Sequence, residues 1–209
     1  MQCDLLIFGA SGHAMVACDC ARWEYAHIVM LAGEETESVW HGIPIIPESR
    51  KSLQEWRDLC PHAFVAIGSA ARREVVTGKL ETAGFQLVVL RHPSAVVSAS
   101  AILGDGTMIG PGSIVNADAE LGKGCIVNSG AIVEHECRLG SFVHLSPGAV
   151  LGGGAVVGDR SWVCIGASVS DHVRIGADST IGAGATVISD IPGNVLAVGI
   201  PARIKKAYR

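Results

Sequence analysis

Aromatic residues make up only 5% of this 209-residue chain, although 49% of it is hydrophobic. A core of that kind must be filled by Val, Ile, Leu and Ala, and 26 glycines add tight turns. Together these favour repetitive β structure over a large helical bundle. Excess positive charge is also lacking: the net charge is −4 and the pI about 6.0. No nucleic acid partner is expected, because any polyanion contact would have to be local. Seven cysteines, at 3, 18, 20, 60, 125, 137 and 164, form no Cys-x-x-Cys pair and are odd in number. Neither a zinc ribbon nor a disulfide framework is suggested by that pattern, and reduced thiols in the cytoplasm fit best. The N-terminus, MQCDLLIF, has no basic region and carries Asp4 as its first charge, so no signal peptide is expected. The best candidate for a membrane span is Leu139 to Gly158, twenty residues without Asp, Glu, Lys or Arg, which is long enough by itself. It holds six glycines, Pro147 and His144 and follows the strict repeat described below, so no membrane span is expected.

What is present falls into two halves with different rhythms. From residue 1 to about 92, short apolar runs alternate with helical patterns: strands at 3–8, 27–31, 63–68 and 85–90, helices at 14–23, 47–59 and 70–84. Pro47 and Glu48 read as a helix opening, and Gly84 as a helix end. Strands alternating with helices imply a parallel sheet with helices on its faces, here a short Rossmann-like unit. The rhythm changes at His92-Pro93. Set in sixes from Ala95, the chain gives sixteen consecutive hexads to Asp190 without an insertion. The third position is Val, Leu or Ile in all sixteen, and the first is Ala, Ser, Thr, Cys or Val. A period of six fits neither an amphipathic helix nor a plain hairpin; it marks a β-solenoid, in which stacked turns bury a continuous column. Domains at 1–92 and 93–209 follow.

This repeat resembles the left-handed parallel β-helix of the hexapeptide-repeat acyltransferases. The resemblance implies three hexads per triangular coil, a homotrimer, and active sites in clefts between neighbouring prisms. Hexapeptide coils also occur in non-catalytic proteins, so the fold alone establishes no activity.

Several motifs bear on chemistry. GASGH, residues 9–13, follows the first strand and opens the first helix, where main-chain N–H groups and the helix N-terminus suit a phosphate. The full G-x-G-x-x-G fingerprint is absent, since position 11 is Ser and 14 is Ala, and the second strand runs into Ala32-Gly33 without an acidic residue. A nicotinamide-type dinucleotide is thereby disfavoured and a sugar-linked nucleoside diphosphate fits better; a turn that only packs strand on helix is the plain alternative. His135 is flanked by Glu134 and Glu136, with Cys137 next. At the fifth hexad position His135 belongs near a corner, where a solvated side chain is one reading. Another is a general base, since an imidazole titrates near neutrality and a carboxylate can fix its tautomer. No metal is expected, because one His and one carboxylate are too few ligands for zinc. Cys125 and Cys137, at the first position, read as core residues, and Glu134 as solvated. His144 lies nine residues on from His135, and Gly153 eighteen, one full coil, so its amide could face a thioester carbonyl. Arg203, Lys205, Lys206 and Arg209 concentrate positive charge in the tail, either as a solvated end or as a site for the phosphates of coenzyme A.

Taken together, GASGH, AFVAIG, HPSAVVS, the block from Ile126 to Gly154 and GNVLAVGIPARIKK resemble the NeuD/PglD-like sugar acetyltransferases over essentially the whole chain. The resemblance implies an acetyl-CoA-dependent N-acetyltransferase acting on a nucleotide-linked amino sugar, of the UDP-4-amino-sugar type, in surface glycan biosynthesis. O-acetylation of sialic acid is the alternative, and a trimeric binding or scaffold protein the non-enzymatic one. It assigns the base to His135, its support to Glu136, the oxyanion amide to Gly153, and acetyl-CoA contacts to His144, Ile165 and Ala183. Arg203 and Lys205 would serve the coenzyme phosphates, and Ser11, Gly12, His13 and Gly68 the sugar nucleotide. Relatives often carry two aspartates after the second strand and Asp or Asn after the AIG triplet; here Ala32-Gly33 and Ser69 stand there.

Overall fold

A computed structural model describes residues 2–33 and 37–208. The N-terminal half forms a six-stranded sheet in the order β3-β4-β2-β1-β5-β6, where β1 is Leu5–Phe8, β2 Ile28–Ala32, β3 Ser38–Trp40, β4 Ile43–Pro47, β5 His62–Val65 and β6 Gln86–Leu87. All strand pairings are parallel except β3 with β4. Every residue of β1 and β2 is buried, as expected of central parallel strands covered on both faces. Helices α1 (Gly12–Ala21), α2 (Leu53–Leu59) and α3 (Ala70–Thr82) supply that cover.

The largest departure from the sequence expectation is the start of α2. Pro47 ends β4 instead of opening a helix, Glu48–Arg50 make a 3-10 turn, and α2 begins only at Leu53. The reason is a capping box: the Ser52 hydroxyl accepts from the Glu55 N–H while the Glu55 carboxylate accepts from the Ser52 N–H, which satisfies two orphan donors and fixes the start. The hairpin β3-β4 has no counterpart in the expected elements. The run 85–90 is divided: β6 pairs with β5, whereas Leu90–Arg91 pairs with Met108–Ile109 and so begins the solenoid.

From there the chain winds as a left-handed parallel β-helix of two-residue strands on three faces. The first face carries Leu90–Arg91, Met108–Ile109, Ile126–Val127, His144–Leu145, Trp162–Val163 and Thr180–Ile181. The second carries Val96–Val97 through Thr186–Val187, and the third Ile102–Leu103 through Arg174–Ile175. Neighbours on a face are one coil apart, as in His144 opposite Ile126 and Trp162. First and third hexad positions point inward: Ala131, Val133, Cys137, Ala149 and Leu151 are all fully buried in one continuous column. Burying each such Val or Leu contributes about 1.5–3 kcal/mol, so the column holds the prism without aromatic residues. Val195–Val198 extends the first face and forms an antiparallel hairpin with Arg203–Ala207. Arg209 lies outside the described residues.

The sheet domain packs on the first face, where Leu90, Met108 and Ile126 join the cluster of Leu5, Ile7, Ala14 and Ala17. Lys123 Nζ meets Glu81 at 3.0 Å and Arg160 meets Glu74 at 3.6 Å across the same junction. No helix among the described residues is long and apolar enough to cross a membrane.

Candidate active site

The carboxyl ends of β1, β2 and β5 open into a cavity of about 540 Å³ whose lining includes Ser11, Gly33, Glu48, Gly68 and Arg72. Gly9 must be glycine: its φ is +125°, and a Cβ there would lie 2.7 Å from the Ala66 carbonyl oxygen. Ser11 is the N-cap of α1 in extended conformation, leaving Ser11 and Gly12 exposed at the helix N-terminus, where an anion is favoured. Ser69 caps α3 by accepting from the Arg72 N–H, the service an Asp or Asn would give there. Ala32 is buried at the end of β2. Register sets it opposite Pro47, and among the described residues the one carboxylate lining this cavity, Glu48, comes from beyond the neighbouring strand.

Gly68 also lines a second cavity of about 460 Å³, between the sheet domain and the first face, with His144, Arg160, Trp162 and Thr180. His144 is not a plain surface residue. Its ring is stacked on Trp162 at 5.7 Å between centroids and lies 6.2 Å from the ring of His13. His13 Nε2 is buried without a hydrogen-bond partner among the described residues. Burial, and then the positive charge of Arg73, pushes the His13 imidazole down to about 4; the same two causes, followed by His13 itself, take His144 to about 3. Both rings are therefore neutral near pH 7. Arg160 closes the far wall, with Nε and Nη2 each 2.7 Å from an oxygen of Asp178.

His135 and Glu136 lie on a different edge, the one joining the second and third faces, and both are exposed. His135 Nδ1 is 3.0 Å from Glu136 Oε2; with Nδ1 protonated, its N–H donates to the carboxylate and Nε2 is left as the basic nitrogen. The ring lies flat over Gly153 of the next coil: a Cβ at Gly153 would be 2.6 Å from His135 Cε1 and 2.7 Å from Nε2. The Gly153 amide is not idle, since its N–H donates to Asp171 Oδ1 at 3.1 Å, one coil further on. Cys137 is fully buried and its thiol donates to the Gly152 carbonyl at 3.1 Å. Glu134 corrects an expectation. It is half-buried and accepts from Asn116 Nδ2 at 2.9 Å, because side chains at the same hexad position meet one coil apart.

Ile165 and Ala183 are exposed on the edge between the first and second faces; Arg203 and Lys205 are exposed on the terminal hairpin that extends the first face. The expected residues thus form three groups in one chain: His135, Glu136 and Gly153; Ser11, Gly12, His13, Gly68 and His144; and Ile165, Ala183, Arg203 and Lys205. An apolar edge followed by exposed basic side chains suits a pantetheine arm and phosphates. Among the described residues no cluster of three or more His, Cys, Asp or Glu could hold a metal ion. Sequence reasoning missed Glu48, Arg73, Trp162 and Asp171. For Trp162 a signal existed, since it repeats the hexad position of His144 one coil on.

Comparisons with known proteins agree with this architecture. Residues 4–80 match the PglD N-terminal domain, and residues 100–135 and 154–189 match the bacterial transferase hexapeptide (six repeats). Perosamine N-acetyltransferase from Caulobacter crescentus, solved in complex with CoA and GDP-perosamine, is 39% identical over 97% of each chain with a TM-score of 0.90. The acetyltransferase domain of PglB from Neisseria gonorrhoeae, in complex with acetyl coenzyme A, is 35% identical over 98% of this chain and 100% of that one, with a TM-score of 0.90. UDP-N-acetylbacillosamine N-acetyltransferase from Bacillus subtilis is 43% identical over 61 residues, 28% of each protein. The chain spans 22–28% of the length of the curated relatives it matches. With both parts matched in order and two sugar acetyltransferase structures superposable along nearly the whole length, the chain belongs to the PglD-type family of hexapeptide-repeat sugar acetyltransferases.

Proposed function

We propose that the chain is an acetyl-CoA-dependent N-acetyltransferase acting on the amino group of a nucleotide-linked amino sugar. One observation carries the reading: the cavity at the carboxyl ends of the parallel strands shares Gly68 with a second cavity on the first face of a β-helix, and another edge of that β-helix bears an oriented imidazole. Perosamine N-acetyltransferase, seen with CoA and GDP-perosamine, has the same architecture. The sheet domain, residues 1–92, would hold the sugar nucleotide at Ser11, Gly12, His13 and Gly68. The β-helix and tail, 93–209, would hold acetyl-CoA along His144, Ile165, Ala183, Arg203 and Lys205.

Acetyl-CoA supplies the acetyl group as a thioester. Glu136 holds the His135 ring through Nδ1, and Nε2 takes the proton from the sugar amine as the amine nitrogen attacks the carbonyl carbon. The C–S bond breaks and the thiolate leaves with the electron pair, so no acyl-enzyme is needed. The Gly153 N–H can serve the carbonyl oxygen only once the Asp171 carboxylate has turned away from it.

Because His135 with Glu136 lies on one edge of the prism and Ile165 with Ala183 on another, we read the site as completed by a second copy and the assembly as a homotrimer. An outward column on the second face, Val96, Ile114, Ile132 and Val150, is apolar, and Val96 is 61% exposed, which suits such an interface. The cytoplasm is the expected location, consistent with free cysteines at all seven positions. The test is acetyl transfer to GDP- and UDP-linked amino sugars, with sialic acid as competitor acceptor. Under this reading His135→Ala lowers kcat by roughly 10²–10⁴-fold, the usual worth of a general base; near-wild-type turnover in that variant would sink the mechanism.

A further inference from the structure

Helix α3 carries a buried charge that the transfer mechanism does not use. Arg73 is 1% exposed, and its guanidinium donates to main-chain carbonyls on both sides of the domain junction. Nε reaches Gly124 O at 2.8 Å and Nη2 reaches Phe142 O at 2.7 Å. Nη1 reaches Ile67 O at 2.8 Å and Gly68 O at 3.0 Å. Gly124 and Phe142 occupy the same edge of the β-helix one coil apart, and Ile67-Gly68 follows the end of β5, with Gly68 lining both cavities. The Phe142 ring, 6.0 Å from the guanidinium carbon, lies so close over Gly124 that a Cβ there would come within 2.5 Å of it.

A desolvated cation without a carboxylate is costly unless its donors are all met. Here a rigid planar fork meets four carbonyls at once, which the single ammonium of a lysine cannot do. Nothing about domain adhesion requires this device, since the apolar contact at Met108 and Ile126 and the Lys123–Glu81 pair already join the two parts. What Arg73 does that they do not is grip the wall at Gly68.

We propose that Arg73 is a positioning residue for the transfer: it fixes the Gly68 end of β5 to the solenoid and so sets where the acceptor sugar nucleotide sits relative to the β-helix. The inference rests on the nucleotide-amino-sugar reading of the two cavities. Its charge also helps keep His13 and His144 neutral. The other charged groups by the second cavity, Arg160, Asp178 and Glu74, are engaged with one another. Misplacing a substrate by about 1 Å can cost on the order of 10²-fold in rate.

The experiment compares full-length wild type with Arg73→Lys, Arg73→Met and, as a control for simple domain adhesion, Lys123→Ala. Steady-state kinetics are run on the wild type's preferred GDP- or UDP-linked amino sugar and on acetyl-CoA. Expected is a fall of at least tenfold in kcat/KM for the sugar nucleotide, carried in part by kcat, in both Arg73 variants, larger in Arg73→Met, with KM for acetyl-CoA within twofold of wild type. Lys123→Ala keeps both values. In Arg73→Met, but less in Arg73→Lys, the proton resonances of His13 and His144 titrate closer to ordinary histidine. Should Arg73→Met fail to fold, Arg73→Lys decides alone. Unchanged kcat/KM for the sugar nucleotide in a folded Arg73 variant overturns the positioning role while leaving the functional reading intact. A wild type inactive on every nucleotide-linked amino sugar overturns both.

Discussion

Gly153→Ala separates chemistry from folding at the His135 edge. A Cβ at this position would sit 2.6 Å from His135 Cε1, and ordinary contact begins at 3.4 Å, so the ring must retreat by about 0.8 Å. Gly153 does not have the left-handed φ of its neighbour Gly154, so alanine is tolerated by the backbone. The His135 side chain is 57% exposed and can swing outward without disturbing the column of Val133 and Leu151. Stability should therefore hold, with Tm within a few degrees of wild type. A displacement near 1 Å in a group that must meet a proton in line costs on the order of 10²-fold, and the loss cannot exceed that of His135→Ala. The assay is release of the coenzyme thiol, followed with a chromogenic thiol reagent at saturating substrates, beside a melting curve. Gly154→Ala is the contrasting control: at φ +65° a side chain costs about 1–2 kcal/mol, or roughly 2–8 °C of Tm in a domain of this size. Wild-type kcat in folded Gly153→Ala would refute the claim that ring placement over this glycine governs the rate.

Two shorter predictions follow from the same geometry. Asp171→Ala frees the Gly153 N–H; if that amide receives the carbonyl oxygen, kcat stays at or above wild type, and a fall beyond tenfold refutes this and makes the carboxylate part of the transfer. His13 and His144 are held at about 4 and about 3 instead of the ordinary 6.5, so between those values the unfolded chain binds more protons than the folded one. Stability is then full above about pH 6.5 and falls as pH drops toward 4. His144→Asn should show a shallower decline of Tm across that window, and a slope equal to wild type would refute the assignment.

How far the molecule was legible depended on whether a residue's role followed from spacing. The sixteen third-position aliphatics fix the period of six, and with three hexads to a coil, as the resemblance implies, every eighteenth residue returns to one place, which sets Gly153 over His135. The same rule was available for Glu134 and Asn116, which meet at one hexad position, and for Trp162 above His144. Helix α2 was misplaced because proline and glutamate at 47–48 imitate a helix opening, while the capping box that starts it, Ser52 and Glu55, lies five residues on. Arg73 could not be told from Arg72 by type. Only the helical period distinguishes it, since Arg73, Thr77 and Leu80 form the buried face of α3, and a charged residue on such a face reads as an error until its four carbonyl acceptors are seen.

The split of the site across the prism has a physical origin. In a solenoid, side chains at one hexad position stack only along one edge, so a single chain can align groups along the axis but cannot bring two edges together. His135 with Glu136, and the exposed Ile165 and Ala183, are each ordered by stacking and are kept apart by the second face between them. A closed arrangement of copies is the direct way to set one edge against another. Under the proposed function the sheet domain then needs a fixed seat on its own prism, or the acceptor would wander relative to the edge proposed to supply the base. Arg73, Lys123 and the Met108–Ile126 contact all bear on that seat, and of these only Arg73 grips the strand end that lines the acceptor's cavity.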